Sequence, residues 1–540
     1  MLRQRHALLP VALVSLALTA ACGGGGGGSA TDTGGNTGAA PEDNREAQQG
    51  GTLTLALAED PDALDPTLAR TLVSREVFVS MCEKLYDVDE NLELVPQLSA
   101  ELPEASEDGT SVTIPLREGV LFNDGTPFDA EAVKVSLERH LTLEGSARQA
   151  DLAAVESVEV VDPTTVRLNL KAAFAPLTAQ LADRAGMIMS PTQLEKLGDK
   201  FATDPVCVGP FEFVSRTSGS EIVLEKSPDY YDADDVKLDG VTYRIITDGN
   251  VRVANVKSGD VQIAERLQPT DVAKLENDAA VKLIAQESIG YQGISVNVGN
   301  VAGAAAPPGE VDTALGGSPE LREAFELSLD REVINQVVFA GRYTPGCTPL
   351  PPASPYHDES VECTTRDLDR AKELIAESGV STPIPVTLTV GTSPENLRLG
   401  QVIQSQAKEA GFDVTVAPTE FTSALDASDA GKFDTFQVGW SGRVDPDGNT
   451  YNFWHTGSSL NRSGYSNQEV DTLLEQARLV EDQDERKDLY TQATKLVLED
   501  RPLIYLYHPV NYLATAPDVV GVEYYADGLP RLKTAGFAAQ

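Results

Sequence analysis

The sequence predicts an α/β protein with at least two lobes, and three observations predict it. The chain has 540 residues, more than a single domain of roughly 100–200 residues. Its C-terminal part alternates helical and strand patterns, the arrangement that gives parallel strands with right-handed crossovers. Its earlier part, after about residue 50, is richer in strands. A composition of 41% apolar and 23% charged residues is ordinary for a folded, water-exposed protein.

The elements can be justified in order. In "GGTLTLALAEDPDALDP", Leu53, Leu55 and Leu57 alternate with smaller or polar residues at strand period, and Asp65 and Pro66 mark a turn. "VTIPLREGVLFNDGTPFDAEAVKVSLERH" predicts a strand, a turn through Asn123, Asp124 and Gly125, then a helix from about Ala130. "VEVVDPTTVRLNL" predicts a hairpin with Asp162 and Pro163 at its tip. In "GGSPELREAFELSLDREVINQVVFAG", Ser318 is an N-cap, Pro319 suits the first turn, and Leu321, Ala324, Phe325 and Ser328 form an inward stripe. "RDLDRAKELIAESG" turns Leu368, Ala371, Leu374 and Ile375 inward and stops at Gly379. The strand "PVTLTV", a helix ended by Gly411, and the strand "FDVTVAP" then make a strand–helix–strand unit. "KFDTFQVGW" is a further strand with Phe436, Val438 and Trp440 on one face. The segment leaving it, "SGRVDPDGN", therefore lies beyond a strand's carboxyl end, where open α/β sheets bind ligands.

The N-terminus reads as an export signal. Arg3 and Arg5 precede an apolar run from Ala7 to Ala21, shorter than the roughly 20 residues that span a bilayer. "TAAC" resembles the bacterial lipobox, with Thr19 where an aliphatic residue is usual, and implies lipidation of Cys22. The following stretch to residue 49 is rich in Gly, Ser, Thr and Asp and reads as a flexible tether. A formal net charge of −41, with no cationic stripe, argues against nucleic acid. Beyond Cys22 there remain Cys82, Cys207, Cys347 and Cys363, an even number that suggests two disulfides in an exported chain. Three connectivities are open. Closing the Pro-rich loop between Cys347 and Cys363 is the economical one and leaves Cys82 with Cys207.

Catalytic motifs are absent. Ser441 is not in a Gly-x-Ser-x-Gly frame, because position 443 is Arg, and the five histidines are scattered. Neither a metal site nor a cofactor site is indicated. The missing motif weighs only lightly against an enzyme, since a triad need not be local.

Several segments in order resemble the extracytoplasmic solute-binding proteins of ABC importers, in the family that takes oligopeptides, dipeptides and nickel complexes. They are "ENLELVPQLSAELPEASEDGTSVTIPLREGVLFNDGTPFDAEAVKVSLERH", "VGPFEF", "SPDYYD", "LREAFELSLDREVI", "AKELIAESG" and "GW…DP". The resemblance implies a two-lobed periplasmic-binding-protein-like fold of class II type, with hinge strands. It implies a signal peptide at 1–21, a tether at 22–49, and a discontinuous lobe I at 50–82, 205–295 and 501–540. An extra domain of that lobe falls at 83–204, and lobe II at 296–500. The expected protein is a monomer, held at the outer face of the cell membrane by lipid on Cys22. It would bind a peptide-like solute and dock on permease subunits served by ATPases, with no cofactor or catalysis of its own. Alternatives are a metal chelate, opine or glycoside as solute, a surface sensor, or a secreted hydrolase. In peptide-binding members the loop after the Trp usually carries an Asp for the peptide ammonium; here that position is Arg443, whose planar fork suits an anion. The expected ligand-binding residues are Trp440, Ser441, Gly442, Arg443 and Asp445, with Tyr291, Glu83 and Asn297. The competing expectation pairs Arg443 with Asp445 or Asp447 and leaves it only shaping the loop.

Overall fold

The computed structural model describes residues 45–539. The expected signal segment 1–21, Cys22 and most of the expected 22–49 tether lie outside the described residues. The last residues of that stretch are described. Ala47–Gln48 forms a strand antiparallel to Gly536–Ala538, and Arg45 Nη2 donates to the Pro517 carbonyl at 2.6 Å. A polar segment needs no apolar face of its own when it can pair with an existing sheet edge.

Two large sheets organise the chain. The first runs in the order Lys282–Glu287, Val510–Thr515, Ile263–Ala264, Thr52–Leu57, Gly240–Ile245, Glu221–Lys226, Phe211–Thr217. Thr52–Leu57 sits inside it with parallel neighbours on both sides, and Leu53, Leu55, Ala56 and Leu57 are fully buried. Burial of both faces is what a parallel strand covered by other layers requires. The second sheet runs Thr344–Pro345, Leu503–His508, Tyr291–Val296, Thr435–Trp440, Ile384–Val390, Phe412–Pro418. Ile384–Val390 is parallel to Phe412–Pro418 and to Thr435–Trp440, with the helices Pro394–Ala410 and Phe421–Asp429 as crossovers. The stretch after Ser318 divides into two helices, Pro319–Leu327 and Arg331–Phe339. Asp330 caps the second by accepting from the Val333 amide at 2.9 Å.

A third, four-stranded antiparallel sheet orders Glu104–Ala105, Ser111–Pro115, Thr165–Leu170 and Val155–Asp162, with helix Ala130–Thr142 packed on it. Its buried residues Ile114, Val166 and Leu168 belong to the same apolar cluster as Leu53, Leu55 and Tyr243 of the first sheet. The second sheet has its own cluster around Ile294, Phe325, Leu388 and Phe412. The molecule is thus two-lobed, with the antiparallel sheet joined to the first lobe through a continuous core.

Two chain crossings link the lobes. Lys282–Glu287 continues through 288–290 into Tyr291–Val296, and Leu503–His508 continues through Pro509 into Val510–Thr515. The crossings are antiparallel and adjacent: the Ser288 amide donates to the Pro509 carbonyl at 3.1 Å, and His508 Nδ1 lies 2.9 Å from the Gly290 carbonyl oxygen. Gly290 has to be glycine, because a Cβ there would stand 2.4 Å from the Trp440 carbonyl oxygen.

The disulfides are Cys82–Cys207 and Cys347–Cys363. They close loops with sequence separations of 125 and 16 residues. Loop-closure entropy makes the longer one worth about 5 kcal/mol and the shorter about 3. Replacing Cys82 and Cys207 by Ala should therefore lower the urea midpoint more than replacing Cys347 and Cys363; the reverse order, measured on the two double variants, would contradict this account.

Candidate functional site

The segment that leaves strand Thr435–Trp440 meets the first lobe at a cluster of guanidinium groups. Trp440 pairs across the sheet with Tyr291, which fixes where the loop begins. Gly442 follows with φ +84°, and a Cβ there would lie 2.3 Å from the Ile289 carbonyl oxygen. The loop can pack on the 288–290 crossing only because this residue has no side chain. Arg443 is then held at both ends. Its amide donates to Asn449 Oδ1 at 2.7 Å and its carbonyl accepts from Asn449 Nδ2 at 2.8 Å. Its guanidinium lies 4.3 Å from the Trp440 ring centre.

Arg443 does not pair with Asp445 or Asp447. Asp445 is gripped by Arg486 at 2.7 and 2.8 Å, and Asp447 by Arg478 at 2.6 and 2.9 Å. Those two bidentate pairs make both carboxylates part of the architecture around helix Asp447–Trp454. Arg443 reaches instead to Asp183 of the first lobe, Nε to Oδ2 at 2.7 Å. Arg75, on helix Leu72–Met81, donates to Asp183 Oδ1 at 3.0 Å and to Ser441 Oγ at 3.3 Å. Arg443 Nη1 also reaches Ser441 Oγ at 3.3 Å and donates to the Gly442 carbonyl at 2.7 Å. Asp183 and Ser441 are therefore the points at which the two lobes share guanidinium donors.

Behind Asp183 stand two more arginines. Arg184 Nη1 donates to the Ala69 carbonyl at 2.8 Å, and Arg148 bonds Asp151 at 2.8 Å and the same carbonyl at 3.4 Å. Arg75, Arg148 and Arg184 are all buried. Four guanidiniums thus face two carboxylates. The imbalance is visible in their acidities: burial and then neighbouring Arg148 hold Arg184 well below the usual arginine range. Burial lowers Arg443 to about 10, with Asp183 opposing that and Arg75 adding to it. Arg443 therefore remains charged at neutral pH. Burial pushes Asp183 upward, but Arg443, Arg75 and Arg184 together outweigh it and hold the carboxyl well below its ordinary value. A second ionic contact joins the lobes at Arg70, which lies 3.3 Å from Asp426 and 3.6 Å from Asp429.

The other expected residues fall elsewhere. Tyr291 lies beside Trp440, buried against Phe453 and Tyr505, and lines a small cavity with Ser295, Gly439, Phe453 and Arg462. The Tyr291 hydroxyl and the Trp440 indole nitrogen have no hydrogen-bond partner. Glu83 is committed to two phenols, Tyr230 at 2.5 Å and Tyr231 at 2.8 Å, and so is not presented to a solute cation. Asn297 is at the far end of its strand from the crossing; its side chain donates to the Asn300 and Gly431 carbonyls and accepts from the Asn300 amide. It braces loops and is not brought to the cluster. Arg75, Arg148, Asp183 and Arg184 were missed, because no local pattern marks residues that come together only in the fold. One signal was present: Arg75 and Glu76 interrupt the otherwise apolar and small run "LVSREVFVSM".

Two lobes on a double crossing, with a charged junction between them, define a binding protein of the periplasmic type. Residues 93–461 match the family model for bacterial extracellular solute-binding proteins, family 5 Middle, and the chain belongs to that family. Its members deliver solutes to ABC importers and work with permease and ATPase subunits. The chain is 30% identical to a glutathione-binding protein, GsiB, of Shigella dysenteriae over 466 residues, 84% of this chain and 88% of the relative. GsiB of Pectobacterium atrosepticum is equally similar over 468 residues, with 84% and 87% covered. Among solved structures, the oligopeptide-binding protein AppA from Bacillus subtilis, in complex with a nonapeptide, superposes with a TM-score of 0.82 at 23% identity, covering 92% of this chain and all of that one. AgaA from A. tumefacien R10, in complex with agropinic acid, gives 0.80 at 25% identity, covering 91% and 99%.

Asp183→Asn tests the junction. Removing one partner of a buried ion pair costs roughly 3–5 kcal/mol, so the variant should lose stability of that order at pH 7 in urea unfolding. The folded-state pKa of Asp183 lies below its unfolded value, so its contribution is complete above about pH 4 and fades as pH falls through the folded pKa. The gap between wild type and variant should therefore narrow in acid; a gap independent of pH would show that Asp183 is not the charge that matters.

Proposed function

We propose that this chain captures a short, peptide-like solute bearing a carboxylate between its lobes and presents it to an ABC permease for import. We further propose that it does so while held to the outer face of the membrane by lipid on Cys22. The observation that carries the solute class is the excess of buried guanidinium charge at the lobe junction, where Arg443 and Arg75 converge on Ser441 and Asp183. A solute carboxylate arriving there meets planar donor forks already oriented by Asn449, Trp440 and Asp183. It adds a negative charge where positive charge is in surplus, and the lobes close around it because the donors come from both sides. Closure is favoured only by the difference in affinity between closed and open forms, and donors split between lobes supply that difference.

Supporting this reading, the GsiB relatives are named for glutathione, a small acidic peptide, and AgaA was solved with agropinic acid. Glutathione is the first probe because it combines peptide bonds with more than one carboxylate. Trp440 would lie along the solute, with its unpartnered indole N–H available to an acceptor.

Calorimetry with glutathione and with its C-terminal amide tests the proposal. Wild type should prefer the free carboxylate. Hydrogen bonds to charged groups contribute about 1.5–3 kcal/mol, so Arg443→Ala should weaken glutathione by roughly 10- to 100-fold and the amide far less. Equal weakening of both probes would defeat the assignment of Arg443 to a carboxylate.

A further inference from the structure

A second charged cluster lies at the carboxyl ends of the parallel strands in the first lobe, and its sign is opposite. Glu59 follows strand Thr52–Leu57, and Glu265 directly follows Ile263–Ala264. Glu76 approaches from helix Leu72–Met81, next in sequence to Arg75. Glu76 and Glu265 are each 1% exposed. Each has a carboxylate oxygen, Oε2, with no hydrogen-bond partner. Glu265 Oε1 accepts from the Ala58 amide at 2.5 Å, which anchors that side chain and leaves the other oxygen for the cluster.

The resident cation does not satisfy this group. Arg266 stands 3.8 Å from Glu265 and 3.4 Å from Glu59, with no hydrogen bond to either. Its backbone sits at φ +50°, a conformation that costs a non-glycine residue stability and is kept only where surrounding structure enforces it. Arg252 enforces it here, donating to the carbonyls of Glu265 at 3.2 Å and Arg266 at 3.0 Å. Arg252 thereby spends its donors on the main chain rather than on the carboxylates. The cluster also faces the other lobe: Arg266 acts electrostatically on Glu395, at the start of helix Pro394–Ala410.

We propose that Glu76 and Glu265 form an ammonium-binding subsite of the cleft, taking the primary amine of the solute. This rests on the reading of the chain as a receptor for a carboxylate-bearing, peptide-like solute. An –NH₃⁺ carries three donors and no acceptor. Two carboxylates with one free oxygen each can receive two of them, and the arriving charge offsets the repulsion between them. A zwitterionic solute would then lie with its carboxylate toward Arg443 and its ammonium toward the Glu pair. Helix Leu72–Met81 serves both ends, through Arg75 and Glu76.

The acid–base state of the pair gives an independent readout. Burial first, then the negative charge of Glu265, push Glu76 well above the usual carboxylate range; Arg266 and Arg75 pull it down and Glu59 adds to the rise. Tyr524 faces the same pair. A carboxyl with a raised pKa retains proton occupancy, and an ammonium beside it favours ionisation, so binding should release protons.

The experiment uses glutathione, N-acetylglutathione and the C-terminal amide of glutathione, titrated calorimetrically into wild type, Glu76→Gln/Glu265→Gln and Arg443→Ala, in two buffers of different ionisation enthalpy. Wild type should bind glutathione at least 10-fold more tightly than N-acetylglutathione and release protons as it does. In the double Gln variant the acetylation penalty should fall to within 2-fold and the proton release should vanish, while the amide penalty stays. Arg443→Ala should do the converse. The Gln variants keep side-chain shape, and a retained amide penalty shows that the cleft is intact. An acetylation penalty that is absent in wild type, or unchanged in the double variant, overturns the ammonium subsite; a persisting amide penalty then leaves the carboxylate reading standing. If no probe binds wild type, both readings are overturned.

Discussion

Everything the molecule does passes through two antiparallel strands that run from one sheet into the other. Their ladder is set by register, Lys282 opposite Thr515 in the first lobe and Ser295 opposite Leu503 in the second. Between the lobes it thins to the Ser288–Pro509 bond and the His508–Gly290 contact. Proline has no amide hydrogen to donate, so at Pro509 the ladder lacks a rung between the lobes. The segment is also tight: Gly290 and Gly442 let the crossing and the Trp440 loop touch main chain to main chain. The crossing is thereby coupled sterically to the loop that carries Ser441 and Arg443.

That coupling explains why the charges at the junction are arranged as they are. Arg443 has its own lobe's carboxylates nearby, yet Asp445 and Asp447 are each saturated by a bidentate arginine. Their saturation leaves Arg443 free to seek a partner across the gap. Asp183 serves as that partner, but it is shared with Arg75. One carboxylate divided among several guanidiniums neutralises none of them fully. The result is a junction with a surplus of buried positive charge.

Much of the architecture was legible in the sequence. Period-two leucines marked the strand Thr52–Leu57, and the stops at Gly379 and Gly411 marked helix ends that the structure keeps. The strand–helix–strand unit after residue 380 was legible because each element carries its own period and its own punctuation. The division after Ser328 was not, because the apolar spacing of Pro319–Leu327 and Arg331–Phe339 runs on as if unbroken and only the Asp330 cap separates them. The order of Ala47–Gln48 was hidden for a related reason: its partner is the far C-terminus. At the site, Trp440 and Arg443 could be singled out as a loop beyond a strand end. The carboxylate that meets Arg443 could not, since Asp183 is one acid among 83 and acquires meaning only from the lobe opposite. Glu83 and Asn297 drew attention by their place in the chain, while the fold gives their polar atoms to Tyr230, Tyr231 and main-chain carbonyls.

The sign of the charge at position 443 constrains the rest of the cleft. A carboxylate in that loop would suit the cationic end of a peptide; a guanidinium repels it. A solute with both an acid and an amine must then turn its amine elsewhere, and a buried amine needs acceptors that are not already used. Most buried acids near the junction fail that requirement: Asp183, Asp445 and Asp447 are held by arginine, Glu83 by phenols. Glu76 and Glu265 meet it, each buried and each with an oxygen left over. Glu76 is next to Arg75 in sequence and Glu265 stands at a strand end of the same lobe, so on the proposed reading one helix serves both the anion side and the cation side. Arg75 and Glu76 share one helix, which fixes their separation within the first lobe. On that reading a solute is selected for its length by the scaffold as well as for its two charges.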